Sequence, residues 1–545
     1  MLAVMLKVFA HLFKLRAKST ELMIGVGDVD TSWYAPAKGQ VNNLRTALSS
    51  QGMYGFTYNS SDTPDTEYGK YNWCNMPHVR PREYVRPDEE FELQYVELIH
   101  RHHKRTPYAS NAFPIEPYQW NCDDAHLFLF GKPLQGNESA SVFRQGYTSP
   151  INPFIPGGWI GSCAFPQITA GGLQDSWQHG ADLYAVYHGL LGFLPAKHED
   201  YRSVVRYRVT NNIITSQVAG MVIDGMWSTG DPFPLLIQAS CTPDDYIATG
   251  VDSLEPQYAC SKANSLFNSI KSNSKSDWKK HLELTGNLFH VLDDISGVLP
   301  DDDSFHASFD HYYDNLSARQ CHDRPLPCKL NHGQNSTSCV TQNLANFVYR
   351  IGNWEYSHIY RDHPSSLSAS SLSFGVWIGE LTNHLRDVMN RQSKILYFHN
   401  VAHDGSIARL LSILQIDEMV WPGMGSEVVF ELYRRKSSTT RAIIQPTLAT
   451  RPVKCPDEDR LSSACLCLSS STNAKAAPTV KENAPPTLDS RSSGFYVRVL
   501  FGGKIFKSSN PSLGSIDMLP AEVLLDYLDG LVGKDGNLVE SQCQL

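Results

Sequence analysis

Between residues 98 and 108 the chain reads Leu-Ile-His-Arg-His-His-Lys-Arg-Thr-Pro-Tyr, an apolar run that breaks into arginines and adjacent histidines before Pro107 stops it. Guanidinium forks match phosphate oxygens bidentately, and a neutral imidazole nitrogen attacks phosphorus well. Arg101 and Arg105 are therefore candidate anion ligands, and His102 between them is a candidate nucleophile. The same run also reads as a solvated basic turn. A metal reading through His100, His102 and His103 is disfavoured, because alternate strand residues face opposite sides and no Asp, Glu or Cys follows at ligand spacing. No metal and no cofactor are expected.

A second pair, His403-Asp404, follows the strand-like run Lys394–Phe398 and precedes a helical pattern. A carboxyl group there could protonate a leaving alkoxide, provided phosphate charge and burial keep it protonated. Equally, an Asp in that place caps the next helix. Open α/β sheets bind ligands at the carboxyl ends of their strands, so the two loops can meet if their strands are neighbours.

Those loops need a scaffold. Strand patterns at Tyr95–Ile99, Val204–Val209, Lys394–Phe398, Val428–Tyr433 and Phe495–Phe501 interleave with helical periodicity at Gln167–Leu194, Ile213–Trp227, Phe374–Met389, Ile407–Leu414 and Leu519–Leu531. The alternation predicts an α/β protein, with a mainly parallel central sheet flanked by helices. Residues 1–90 read as an irregular N-terminal arm, 91–224 and 373–545 as the core, and 225–372 as an inserted, mostly helical cap. The Ser-, Ala-, Pro- and Lys-rich stretch 451–493 reads as a disordered insertion.

With 41% hydrophobic residues over 545 positions the chain is globular, and a net charge of -9 argues against nucleic acid or an anionic membrane as partner. The Arg101–Arg105 cluster is then local and suits a small ligand. No run of eighteen apolar residues occurs, so no transmembrane helix is expected. Met1–Leu15 reads as a leader, a short amphipathic helix or a misassigned start. Twelve dispersed cysteines and sequons at Asn59, Asn137, Asn315 and Asn335 point to an oxidising, secretory route with disulfides and glycans.

Together the motifs resemble the histidine acid phosphatases, the branch of the histidine phosphatase superfamily that contains phytases. That family carries R-H-G-x-R-x-P after its first core strand, and Arg101-His-His-Lys-Arg-Thr-Pro107 fits except at the glycine. It carries a late His-Asp pair, here His403-Asp404; Ile168-Thr-Ala-Gly-Gly-Leu173, Trp421-Pro422 and Phe430-Glu-Leu432 resemble further segments. The likeness runs from about residue 93 to the end, outside the Ser-rich stretch. It implies that His102 is phosphorylated, that Arg101, Arg105 and His403 bind phosphate, and that Asp404 is the leaving-group acid. It implies hydrolysis of phosphate monoesters at acid pH, without a metal. Two positions depart: His103 replaces the glycine, and Asn212 stands where the family has a third arginine, with Arg208 a substitute donor. These departures motivate an alternative, a weak or inactive relative that binds a phosphate ligand. Beyond Lys104 no lysines can be placed around the pocket, so a broad range of small phosphate monoesters is expected.

Overall fold

The structure, a computed structural model, describes residues 29–436 and 493–543, apart from 55, 57, 59–69, 117, 129–141, 145–146, 148, 150, 155–157, 159, 198–199, 230–232, 239–250, 256–257 and 273–276. Met1–Leu15, the sequons at Asn59 and Asn137, and the stretch 451–492 lie outside the described residues. The chain divides into two units, 1–435 with 493–545 and 436–492, and every element named below belongs to the first.

Strand β1 (Phe91–Arg101) is buried along its last seven residues, as its Tyr-Val-Glu-Leu-Ile run demands of a strand covered on both faces. Strands β2 (Val205–Val209) and β3 (Tyr397–Ala402) lie parallel to it in the order β1-β3-β2. On the other side β4 (Glu427–Arg435) runs antiparallel to β1, and β5 (Phe495–Phe501) antiparallel to β4. Short edge strands at Lys504–Ile505 and Leu519–Pro520 complete the sheet. The sheet is thus mixed, not mainly parallel. Residues 414–426 return the chain to the carboxyl end of β1, where Arg101 N donates to Ser426 O, so β4 must leave in the opposite direction. Strand periodicity carries no direction, which is why the sequence reading missed this.

Helices α1 (Ala170–Tyr184), prolonged by a π-helical turn to Leu190, and α2 (Ile213–Trp227) cover one face. They pack Leu183, Val186, Val218 and Val222 against Leu98, Tyr207 and Val401. Helices α3 (Asp277–Ser296), α4 (Asp310–Cys321) and α5 (Gln342–Ser357) form a separate cluster around Trp278, Phe309, Tyr313 and Trp354, into which Trp73 and Trp421 also pack. The second sheet face is covered by α6 (Ser365–Met389), α7 (Asp404–Ile413) and α8 (Ala521–Val532), with Ile378, Leu410 and Leu528 against Ile99, Phe398 and Phe430. Each such buried aliphatic side chain contributes roughly 1.5–3 kcal/mol.

Helix α6 starts at Ser365 rather than Phe374 and runs through position 372, where cap and core were expected to part. Its serine-rich first turns hide the helical period. Leu367, Ala369 and Leu372 are nonetheless buried, and Ser366 and Ser373 donate their hydroxyls to backbone carbonyls of Ile359 and Ser370.

The arm carries a short helix, Leu44–Ser49, capped by Asn43, and Arg350 of α5 donates to Ala47 O and Gly52 O. Disulfides join Cys74 to Cys321, Cys122 to Cys163, Cys260 to Cys543 and Cys328 to Cys339. Asn315 is fully buried on α4, donating to Asn111 O and accepting from Arg319 Nε, so that sequon is a structural asparagine in the folded chain. Asn335 is exposed on a hairpin strand. Among the described residues no helix is long and apolar enough to cross a membrane.

Candidate active site

The sheet register assembles the site. Arg101 lies beside Ala402, and Val401 beside Val209, so the chain leaves three parallel strands at one place. His102, His403 and Thr210 emerge there together. The rings of His102 and His403 are 5.4 Å apart, and Thr210 Oγ1 lies 3.0 Å from His403 Nε2. His102 N donates to Ala402 O at 3.0 Å, and Gly425 N donates to His102 O at 3.1 Å.

The loop from Arg101 to Thr106 is buried throughout, which removes the solvated-turn reading. Gly172 on α1 lets it pass, since a Cβ there would meet Lys104 O at 2.1 Å. Lys104 pairs with buried Asp175 of α1 at 3.0 Å and does not line the cavity.

His102 Nδ1 lies 3.0 Å from His103 O. A carbonyl only accepts, so the proton sits on Nδ1 and Nε2 carries a free lone pair. Burial, followed by the charges of Arg105, Arg101 and His403, pushes this imidazole well below its ordinary pKa. The shift favours the neutral form of the ring.

Both arginines already hold carboxylates. Arg101 Nη2 lies 3.1 Å from Asp404 Oδ2, its Nη1 donates to Pro422 O, and its guanidinium sits 4.8 Å from the Trp73 ring centre. Arg105 Nη1 lies 3.1 Å from Asp314 Oδ1, with the guanidinium 4.1 Å from the Tyr108 ring centre.

Asp404 also accepts from Trp421 Nε1 at 2.9 Å. Burial raises its carboxyl, but Arg101, Trp421, Arg105 and His403 outweigh it and hold the group below its ordinary value. His403 is lowered to about 4, chiefly by burial and then by the two arginines, against the pull of Asp404.

Arg208 is committed elsewhere, to Glu380 at 2.6 Å, Ser253 at 2.9 Å and Asp252 at 3.3 Å. Asn212 caps α2 by accepting from Ile214 N. Neither is among the residues lining the cavity.

That cavity, of about 250 Å³, has Arg101, Arg105 and Asp404 for its floor and Trp278, Asp310, Asp314, Glu355 and Tyr356 of the helical cluster for its roof, with Lys271 beside them where the sequence placed no lysine beyond Lys104; His102 and His403 are not among its lining residues. Sequence reasoning missed the roof, because no motif marks acids scattered over two helices. Trp421 stood in a quoted segment, but its hydrogen bond to Asp404 had no local signal. Asp310 is pushed up to about 7 by burial and by Asp314, Asp404 and Glu355, against Arg105. A larger hollow of about 740 Å³, beside Lys38, Arg45 and Lys280, has none of these groups.

His103 is absent from the described non-glycine residues with positive φ, so its replacement of the family glycine carries no left-handed strain. Room for its ring comes from across the loop. Gly425, at φ +71°, would place a Cβ 2.7 Å from His103 Nε2.

Fold and site together define a three-layer α/β protein whose strand-end loops hold a buried imidazole between two guanidinium groups. No family model matches the sequence, and no curated protein matches it. Among solved structures it is similar to the Klebsiella sp ASR1 phytase, at 14% identity and TM-score 0.38 over 64% of this chain and 80% of that one. It is also similar to the Hafnia alvei phytase (12%, TM-score 0.41, 64% and 83%) and the D. castellii phytase (13%, TM-score 0.39, 89% and 91%). Likeness at this level decides nothing about chemistry, which rests on the residues above.

Proposed function

We propose that this chain hydrolyses phosphate monoesters through a phosphohistidine, as a histidine acid phosphatase. The observation that carries the reading is His102, a neutral buried imidazole with its Nε2 lone pair free and Arg101, Arg105 and His403 around it. Nε2 attacks phosphorus, the ester P–O bond breaks, and the leaving oxygen takes a proton from Asp404. Water then attacks the phosphohistidine, gives its proton to Asp404 and releases His102. Arg101 and Arg105 bind the non-bridging oxygens and His403 contacts them, which stabilises charge without a metal.

Asp404 starts as a carboxylate, so its proton comes with the substrate. A monoester below its second pKa, near 6, is a monoanion, and passing that proton to Asp404 leaves a bound dianion and a competent acid. Releasing Arg101 from Asp404 raises the carboxyl as the phosphate takes its place. An acid optimum follows from the substrate's titration.

Asp314 and Glu355 outnumber Lys271, the one lysine among the described lining residues, and so favour a small monoester over a polyphosphorylated one. The disulfides suit the secretory route expected from the cysteines and sequons. The test is hydrolysis of an aryl phosphate by His102→Ala, with acid-labile phosphate trapped on the wild type. Retained turnover in the variant, or no trapped phosphate, refutes the mechanism. A cavity lining that holds Arg101 and Arg105 and, among the described residues, no third arginine motivates a second reading, a phosphate-ligand binder without turnover. Binding without release of inorganic phosphate anywhere from about pH 4 to 7, the window set by the phosphate titration, would establish it.

A further inference from the structure

Behind the His102 loop, on the α1 side of the sheet, lies a second cluster that the proposed reaction does not use. His100 of β1, His103 of the loop and His179 of α1 are all fully buried, and one nitrogen from each lies within 4.8 Å of the others. The sequence reading discounted a metal because it weighed only neighbours in the chain, and His179 arrives through the fold.

The tautomer of each ring is set by what its other nitrogen touches. His100 Nδ1 lies 2.8 Å from Arg101 O, a pure acceptor, so it carries the proton and Nε2 is bare. That Nε2 is buried and has no hydrogen-bond partner among the described residues. His103 Nδ1 lies 3.0 Å from Ser176 Oγ, whose own hydroxyl is donated to Gly172 O at 2.7 Å. The serine must accept there, so Nε2 of His103 is bare as well. His179 Nε2 lies 2.9 Å from Glu427 Oε2, and Glu427 Oε1 accepts from Val79 N. With Glu427 ionised, His179 donates through Nε2 and presents a bare Nδ1. That Nδ1 is only 3.2 Å from Nε2 of His103, two lone pairs facing each other.

We propose that His100 Nε2, His103 Nε2 and His179 Nδ1 bind a divalent transition-metal cation of the zinc type, with Glu427 and Ser176 as orienting partners. Tetrahedral Zn–N bonds of about 2.0–2.1 Å set neighbouring nitrogens about 3.3 Å apart, close to the separation of His103 and His179. Imidazole ligands suit zinc, copper and nickel, and a carboxylate on the distal nitrogen of a ligating histidine raises its basicity and fixes its ring. The cation's charge also offsets that of buried Glu427. Protonating Glu427 instead would satisfy His179 and His103, but it leaves Nε2 of His100 bare. A metal here staples β1 and the His102 loop to α1 from behind, and takes no part in phosphoryl transfer.

The site is enclosed, so it is loaded as the chain folds. Tag-free protein made in zinc-supplemented medium, washed with chelator and gel-filtered, is expected to hold roughly one zinc per chain, with three nitrogen neighbours at about 2.0–2.1 Å by X-ray absorption. Glu427→Gln is expected to weaken binding by about 10–100-fold in chelator competition. His179→Gln is expected to lose the metal while phosphate release stays metal-independent. Wild-type protein that folds without stoichiometric metal, refolding with Zn²⁺, Co²⁺ or Ni²⁺ included, overturns the proposal and assigns the cluster to a shared proton. Zinc retained in full by folded His179→Gln, or an absorption signature without three nitrogens, overturns it too. The wild-type measurements stand even if a variant fails to fold.

Discussion

Replacing Asp310 with Asn removes a carboxyl that the cavity holds protonated far above its ordinary range. Its value in the folded chain is about 7 against 3.8 as an ordinary side chain, because burial, Asp314, Asp404 and Glu355 outweigh Arg105. That gap corresponds to roughly 4 kcal/mol when fully expressed. The sign follows from linkage. Between pH 3.8 and about 7 the folded chain keeps the proton that the unfolded chain has released, so stability falls as pH rises through that window. Below it neither form is penalised, and above it the full penalty applies. At pH 5 the penalty is roughly 1.5–2 kcal/mol and at pH 8 roughly 4 kcal/mol, so the advantage of Asp310→Asn grows by roughly 2 kcal/mol between them. Thermal midpoints of both proteins at the two pH values measure this. Inorganic phosphate, titrated in parallel, is expected to bind the wild type progressively more weakly above pH 7 than it binds the variant. A stability difference that is the same at both pH values would refute the assignment of a raised Asp310.

Two further outcomes are expected. Asp404→Asn keeps an acceptor for Trp421 but removes the acid and the Arg101 ion pair, and should lower kcat for alkyl phosphates by about 10²–10⁴-fold. An activated aryl phosphate, whose leaving group needs no proton, should lose much less; equal losses would argue against an acid role. Gly425→Ala places a Cβ against His103 at a left-handed backbone position and should destabilise the fold by about 1–3 kcal/mol. Adding His103→Gly should recover part of that loss, which a double-mutant thermal series would reveal as coupling between the two sites.

The floor of the site was legible in the sequence because it hangs on backbone periodicity. Helix Ile213–Trp227 and strand Phe495–Phe501 fall where the pattern put them, and the loops after Arg101 and Ala402 meet as neighbouring parallel strands. What could not be read depends on pairings between distant segments. Asp314 reaches Arg105 and Glu380 captures Arg208, each across more than one element, and Trp421 reaches back over helix α7 to Asp404. The direction of β4 and the serine-masked start of α6 were hidden for related reasons, since neither leaves a local period. His103 shows the same limit at one residue: its space is made by Gly425, far away in the chain.

The split of the cavity into a floor of strand ends and a roof of helices has a consequence for how such a protein can diverge. Arg101 and Asp404 are brought together by register, so any drift there separates the guanidinium from its carboxylate. Trp278, Glu355 and Tyr356 come from α3 and α5, whose packing rests on their own aromatic cluster. Replacing Glu355 or Tyr356 would change the wall of the cavity and leave the register of β1 and β3 untouched. Copies of this chain under different selection would therefore differ first in the roof, while the strand-end floor stays as it is.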